Sequence, residues 1–256
     1  MGILNITPDS FYKESRVISV NTALKRADKM IREGADILDI GGESSRPGSN
    51  PVSEEEELKR ILPVINGLIK KFDIPVSVDT YKSAVARAVL EEGVSIINDI
   101  SGLRFDPNMA KTIALANAGV IIMHISGKPK TMQKNPSYKS LMREITAYLK
   151  RGIKQAVSSG IKESSIIVDP GIGFGKKFSH NITILKKLKQ LQKLKKPILL
   201  GLSRKSFIGK ILDLPVEERL EGSIAASVLG IINGAQILRT HDVKETKRAL
   251  VVADAI

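Results

Sequence analysis

The 256-residue sequence predicts an α/β fold, a (β/α)8 TIM barrel, folded as a single domain over residues 1–256. Three observations predict it. Short apolar runs rich in β-branched residues recur eight times along the chain. Stretches with helical periodicity and cap signals alternate with them. A polar residue stands at the end of each run. Runs apolar on both faces are those of parallel strands covered by helices. Such units build a barrel or a doubly wound sheet, and eight of them in this length favour closure. No repeat, low-complexity tract or linker marks a second domain.

The strand runs are 3–6, 37–40, 76–79, 96–98, 120–123, 166–169, 198–201 and 236–239. The first helical pattern spans 20–32 and stops at Gly34. Ser53 caps the next, whose first turn is Glu54, Glu55 and Glu56, where the helix dipole favours acids. A third spans 82–92 and stops at Gly93. The fourth, 107–118, has Pro107 in its first turn and Gly119 just past its end. The fifth spans 137–159 and stops at Gly160. Along KKLKQLQKLKK, 186–196, and the residue before it, the leucines Leu185, Leu188, Leu191 and Leu194 recur every three positions. We read it as an amphipathic helix with a solvated lysine face. The pattern at 222–233 is apolar nearly all round, which predicts a buried or intersubunit contact. The last helix is 243–253.

Composition narrows the function. The net charge of +13 admits nucleic acid, an anionic small substrate or only a lysine-rich surface. The densest basic run has no aromatic residue on which a base could stack, which argues against nucleic acid. With no cysteine, disulfides, thiolate metal sites and cysteine nucleophiles are excluded. No apolar run reaches membrane-spanning length, no signal peptide is recognisable, and the cytoplasm is the expected compartment.

In a barrel the C-terminal ends of the strands carry the chemistry. Here they hold Asn5, Asp39 with Glu43, Asp79, Asn98, His124, Asp169, Ser203 with Arg204 and Lys205, and Arg239 with His241. A lone aspartate after a strand is ordinarily a cap or turn former. Polar groups at all eight strand ends converge on one mouth, and that reverses the reading. Asp79, Asn98 and Asp169 offer acceptors, and Asn98 can also donate. They suit a flat heterocycle with an amino-pyrimidinone edge. Arg46, Arg239 and His241 suit phosphate oxygens. Asn5 offers a hard oxygen to magnesium, which prefers phosphate co-ligands. One side of the mouth thus reads a neutral ring and the other a polyanion.

The segment DPGIGFGK, 169–176, imitates a phosphate loop. A P-loop needs glycine where Pro170 stands and serine or threonine where Lys177 stands. The dinucleotide fingerprint fails because Gly175 comes one residue early. Its glycines serve a tight, positive-φ exit from a strand. That leaves Phe174 projecting into either a ligand space or the core.

The stretches GILNITPDSF, GGESSRPG, VSVDTYK, IINDISG, MHISGKPKTMQ, DPGIGFGK, GLSRKSFIG and RTHDV follow in order, each at a strand end. Together they resemble the dihydropteroate synthase family along nearly the whole chain. The resemblance implies a homodimeric TIM barrel. It implies a transferase that joins 6-hydroxymethyl-7,8-dihydropterin diphosphate to 4-aminobenzoate, giving 7,8-dihydropteroate and diphosphate in folate synthesis. It implies Asp79, Asn98, Asp169 and Lys205 at the pterin, with Asp79, Asp169 and Lys205 as the catalytic set. It implies Asn5, Ser45, Arg46, Arg239, Thr240 and His241 at the diphosphate, with Asn5 also at Mg2+. It implies Ser45, Pro47, Phe174, Lys205 and Ser206 around 4-aminobenzoate, the substrate that sulfonamides mimic. His124 and His180 read as structural.

The chain departs from the family pattern in three places. Tyr12, Lys13, Glu14 and Ser15 replace a glycine-containing first loop that closes over the site. Ser45 replaces a threonine, and Ser126 a glutamine. Family members also carry a segment before the first strand. Two other readings use the same barrel. One is a pterin-binding paralogue with weak catalysis, motivated by the first loop. The other is a methyltransferase passing a folate methyl group to a corrinoid, which has no use for Arg46, Lys205, Arg239 and His241.

Overall fold

The computed structural model describes residues 1–7 and 20–256. The altered first loop, Tyr12 to Ser15, therefore lies outside the described residues. The architecture is the expected (β/α)8 barrel. Its strands are β1 (Gly2–Asn5), β2 (Leu38–Gly41), β3 (Val76–Asp79), β4 (Ile96–Asp99), β5 (Gly119–Met123), β6 (Ile166–Asp169), β7 (Leu199–Gly201) and β8 (Ile237–Arg239). The helices are α1 (Val20–Arg32), α2 (Glu54–Lys71), α3 (Ser83–Glu91), α4 (Met109–Leu115), α5 (Leu141–Ser158), α6 (Phe178–Lys186), α7 (Ser206–Leu212), α8 (Leu220–Ile232) and α9 (Val243–Ala255).

The wall is stitched unevenly. β1 to β6 form one parallel six-stranded sheet, and β7 and β8 pair as a separate parallel two-stranded one. Single bridges, Val168 to Ile198 and Gly2 to Thr240, join the two and close the ring.

Strand alternation divides the apolar residues into two cores. Leu4, Ile40, Val78, Ile97, Val120, Ile122, Val168, Leu200 and Leu238 face outward to the helices. Met1, Ile121 and Leu199, with Ile37, Ile96, Ile167 and Ile237 against them, fill the barrel interior. Most of the burial that stabilises the fold is in the outer core, where each strand residue meets a helix.

Most elements begin and end within a residue or two of the pattern, and Ser53 caps α2 by accepting from Glu56 N at 3.1 Å. Three places need correction. The fifth helix starts at Leu141 rather than 137, because Glu144 reaches back to take the Ser140 N–H at 2.6 Å and fixes the first turn there. The lysine-rich stretch is not one α-helix. α6 ends at Lys186, and Leu188–Leu194 is a 3-10 helix. Leucines every three residues match the 3.0-residue turn of that helix, so one side stays against the core without drift. Leu188 and Leu191 are fully buried there. Finally, α7 was not anticipated, and it occupies the stretch between β7 and the helix expected at 222–233.

Candidate active site

Strand register places the polar residues in one tier. Asn5 pairs with Gly41, Gly41 with Asp79, and Asp79 with Asn98. Laterally paired residues of parallel strands point to the same side, so this row looks into the mouth. Gly41 contributes no side chain between Asn5 and Asp79, and Gly201 contributes none between Lys205 and Arg239. The two glycines keep the centre open.

The acceptors are already half used. Asp169 takes the Gly171 N–H on Oδ1 at 2.6 Å, leaving Oδ2. Asp79 receives Arg239 Nη2 on Oδ2 at 3.0 Å, leaving Oδ1. Asn98 donates from Nδ2 to Asp39 Oδ2 at 3.2 Å, leaving its carbonyl. One of the two N–H donors of Asn98 is thus used inside the protein. Each of the three presents one acceptor to a ligand.

Asp39 was legible only as a polar residue at a strand end. It lies one tier lower, fully buried, and holds Arg239 Nε at 2.5 Å as well as Asn98. Arg239, expected at diphosphate, therefore spans both halves of the mouth. Nε and Nη2 go to Asp39 and Asp79, and Nη1 remains for an outside anion. Burial works against its charge, but the two carboxylates hold it firmly protonated. Burial pushes the Asp79 carboxyl up to about 7, with Arg239 pulling against it. Asp169 is raised by burial too, opposed chiefly by Lys205.

Lys205 stands half-buried across from Asp169. Its ammonium donates to the Ile172 carbonyl and lies 4.8 Å from the Phe174 ring centre. Burial lowers it to about 8, with Asp169 opposing. Phe174 answers the choice left by the sequence by doing both. It packs against the buried cluster of Ile100, Met123, Ile125 and Met132, and it meets Lys205. Pro47, Ser206 and Gly173 line one cleft of about 610 Å³ with Gln133, Lys176 and Lys210. Ser45 is half-buried and Arg46 exposed on the same loop as Pro47.

That second loop is built from its own residues. Ser49 Oγ donates to the Ser44 and Arg46 carbonyls at 2.5 and 2.8 Å. Gly48 N donates to Pro129 O at 3.1 Å. At its root Glu43 accepts from Tyr81 OH at 2.6 Å, Val52 N at 3.0 Å and Lys82 Nζ at 2.5 Å. Lys82 also reaches Glu57 at 2.6 Å. Sequence reading missed this cluster, since Tyr81, Lys82 and Glu57 look like ordinary surface residues of a loop and a helix.

At the far side Thr240 is buried, with its hydroxyl 3.1 Å from that of Thr246. His241 sits exposed at the rim. Ser203 Oγ accepts the His241 N–H at 3.3 Å and lies 3.0 Å from Nδ1. A hydroxyl that already accepts there can donate to Nδ1, which leaves the hydrogen on Nε2. The crowded rim lowers the ring's basicity, and Arg239, Arg204 and Arg46 add to this against Asp242. Water at the exposed ring softens the effect, but its direction favours a neutral imidazole at pH 7. His241 thus offers a hydrogen bond rather than a charge.

The DPGIGFGK loop does what its glycines require. Gly171, Gly173 and Gly175 have φ of +67°, +83° and +64°. A Cβ at Gly171 would fall 1.9 Å from the His124 carbonyl oxygen. Lys176 is buried rather than phosphate-facing, and its Nζ meets His124 Nδ1 at 2.9 Å and Phe174 O at 3.0 Å. His124 is accordingly structural, neutral and packed on Tyr148 with ring centres 4.6 Å apart. His180 accepts the Lys177 N–H on its ring at 3.1 Å, a cap for α6.

Comparison with known proteins agrees with this geometry. The family described as pterin binding enzyme matches residues 1–241. A relative from Clostridium beijerinckii, named dihydropteroate synthase, is 47% identical over all of this chain and 93% of its own length. The Yersinia pestis dihydropteroate synthase, solved with a sulfonamide drug, superposes with a TM-score of 0.95 at 42% identity, covering 99% of this chain and 92% of that one. The Xanthomonas albilineans dihydropteroate synthase, solved with 4-aminobenzoic acid, gives a TM-score of 0.93 at 40% identity, covering 99% and 91%.

Proposed function

The chain belongs to the family of pterin-binding enzymes and is a transferase with dihydropteroate synthase function in folate synthesis, and we propose the following division of labour at its mouth. The observation that carries it is the set of single acceptors left on Asp79, Asn98 and Asp169. A pterin edge supplies N–H donors in that pattern. Lys205 borders the ring beside Asp169. Phe174, Pro47, Ser45, Ser206 and the Lys205 stem bound the 4-aminobenzoate pocket. Arg239 Nη1, His241 Nε2, Thr240, Ser45, Arg46 and Asn5 surround the diphosphate.

The chemistry follows from charge. Breaking the methylene C–O bond spreads positive charge into the electron-rich dihydropterin ring. Fixed carboxylates at Asp79 and Asp169 stabilise that charge without reorganising. Asn5 is one hard oxygen at the mouth, and among the described residues no group of three or more histidine or carboxylate ligands is gathered. That donor set fits Mg2+, which takes one or two protein oxygens and completes its shell with phosphate and water. Bound magnesium would neutralise the departing diphosphate. Arg239 and His241 take up the remaining charge. The aromatic amine is unprotonated at neutral pH and attacks the methylene carbon as the diphosphate leaves, and the acidic arylammonium so formed gives its proton to water, so no dedicated base is needed.

We read residues 1–256 as one such unit, working in the cytoplasm, and no helix among the described residues is long and apolar enough to cross a membrane. We also propose a homodimer through α8. Its buried residues are Ser223, Ser227 and Gly230, while Leu229 and Ile232 are 57% and 59% exposed. Small residues inward and large apolar ones outward suit a helix with a second partner.

The test is to mix the protein with pterin diphosphate, magnesium and 4-aminobenzoate and follow diphosphate and dihydropteroate. Amine-dependent formation of both is expected, with competition by a sulfonamide. Pterin binding without turnover would instead identify a weak paralogue.

A further inference from the structure

The arc of the wall made by β7 and β8 has the shortest strands, three residues each, and is joined to the six-stranded arc by one bridge on each side, most sparsely at β6. Yet it carries Lys205, Ser206, Arg239 and His241. Backbone hydrogen bonds alone would hold these groups less firmly than those on the six-stranded arc. Side chains take over the work. Ser203 Oγ meets both His241 N and His241 Nδ1. One residue further on, Arg204 grips Asp242 with two parallel bonds, Nε to Oδ2 at 2.9 Å and Nη2 to Oδ1 at 2.8 Å. Arg204 Nη1 continues to the carbonyls of Val216 and Glu217 at 3.2 and 2.9 Å.

The backbone at Arg204 is part of the device. Its φ is +56°, a left-handed conformation that is unfavourable for a non-glycine residue. Arg204 N donates to Ser223 Oγ at 2.9 Å, and Arg204 O accepts from Arg219 Nη1 at 3.2 Å, so the conformation is held from both sides. The left-handed turn sends consecutive side chains apart. Arg204 goes across to Asp242, and Lys205 goes in to Ile172 O and Phe174. Asp242 in turn directly follows His241.

On the synthase reading above, we propose that Arg204 and Asp242 are positioning residues that set Lys205 and His241 at a fixed separation. The ring side and the diphosphate side of the mouth are thereby held in register. Neither residue touches substrate. A two-bond arginine–carboxylate fork fixes angle as well as distance, which a lysine cannot do.

The experiment uses Arg204→Lys and Asp242→Asn in the full chain. Each is measured for steady-state rates with both substrates, for inorganic diphosphate binding with magnesium by calorimetry, and for melting temperature. Both variants are expected to stay folded. Their kcat/KM for pterin diphosphate should fall roughly tenfold to a hundredfold, as small misplacements at reacting centres do. Diphosphate binding should weaken by about tenfold, on the scale of lost orienting contacts. The double variant should be little worse than either single one, since both remove the same link. Wild-type rates and wild-type diphosphate affinity in both variants, whatever their melting temperatures, would overturn the proposal. A wild-type chain that binds diphosphate but forms no dihydropteroate would sink the synthase reading instead, while the binding data still decide the clamp.

Discussion

Asp79 is the residue at which burial and chemistry pull hardest against each other. Its carboxyl is pushed up to about 7, so the fold holds its proton more tightly than the unfolded chain does. Stability therefore falls as pH rises from the ordinary carboxylate range through 7. Asp79→Asn removes that slope, and parallel denaturant melts at pH 5 and pH 8 should show wild type losing ground to the variant. Catalysis has the opposite demand, because the carboxylate must be ionised to face the pterin cation. The kcat/KM of wild type should rise through about pH 7. It should fall again through about pH 8 as Lys205 loses its proton. A flat profile across this range would remove both residues from the charge-bearing set. Asp169→Asn and Lys205→Ala should abolish turnover with the circular dichroism spectrum unchanged. Gly171→Ala tests the loop at its tightest point, since the new Cβ would sit 1.9 Å from a carbonyl oxygen at positive φ. It should cost about 1–3 kcal/mol or more in a denaturant melt. At this scale Asp79, Asn98 and Asp169 could be read from strand ends. Asp39 and Lys176 could not be given roles, because only their partners, far off in sequence, reveal what they hold.

Among the elements, the second loop depends on charges that no linear pattern displays. Lys82 pairs with both Glu43 and Glu57, and burial works against its charge while those two carboxylates more than restore it. Glu57 is itself raised by burial, with Lys82 opposing. Lys82→Met would leave two carboxylates facing each other in a nearly buried site, a loss of about 3–5 kcal/mol for a buried pair. The loop bearing Ser45, Arg46 and Pro47 should loosen with it. The expected kinetic mark is a raised KM for 4-aminobenzoate together with a lowered melting temperature. An unchanged KM would show that the loop stays in place without the lysine. The 3-10 helix at Leu188–Leu194 gives the opposite lesson. Its period of three was present in the leucines, but a fixed expectation of 3.6 residues per turn turned it into an α-helix. α7 escaped notice because seven residues offer too few turns for a period to show, and it lacks the flanking pair, Pro107 and Gly119, that marked the equally short α4.

For the whole molecule, the exposed apolar face of α8 is the main surface left to explain. Leu229→Glu with Ile232→Lys should convert a dimer to a monomer of intact fold in sedimentation at micromolar concentration. A wild-type monomer at that concentration would contradict the proposed assembly. The barrel itself was legible from eight alternating units, since local hydrophobic pattern alone requires helices on the outside and strands within. The sequence by itself determined the fold class, the residues at the strand ends and the division of the mouth into an acceptor side and a cationic side. These follow from period, turn chemistry and charge, which are local. Only the tertiary structure decided which atoms remain for a ligand, that Arg239 joins the two sides, and that Arg204 and Asp242 brace the weak arc. Those are contacts between residues up to 200 positions apart, as between Asp39 and Arg239, and they exist only once the ring has closed.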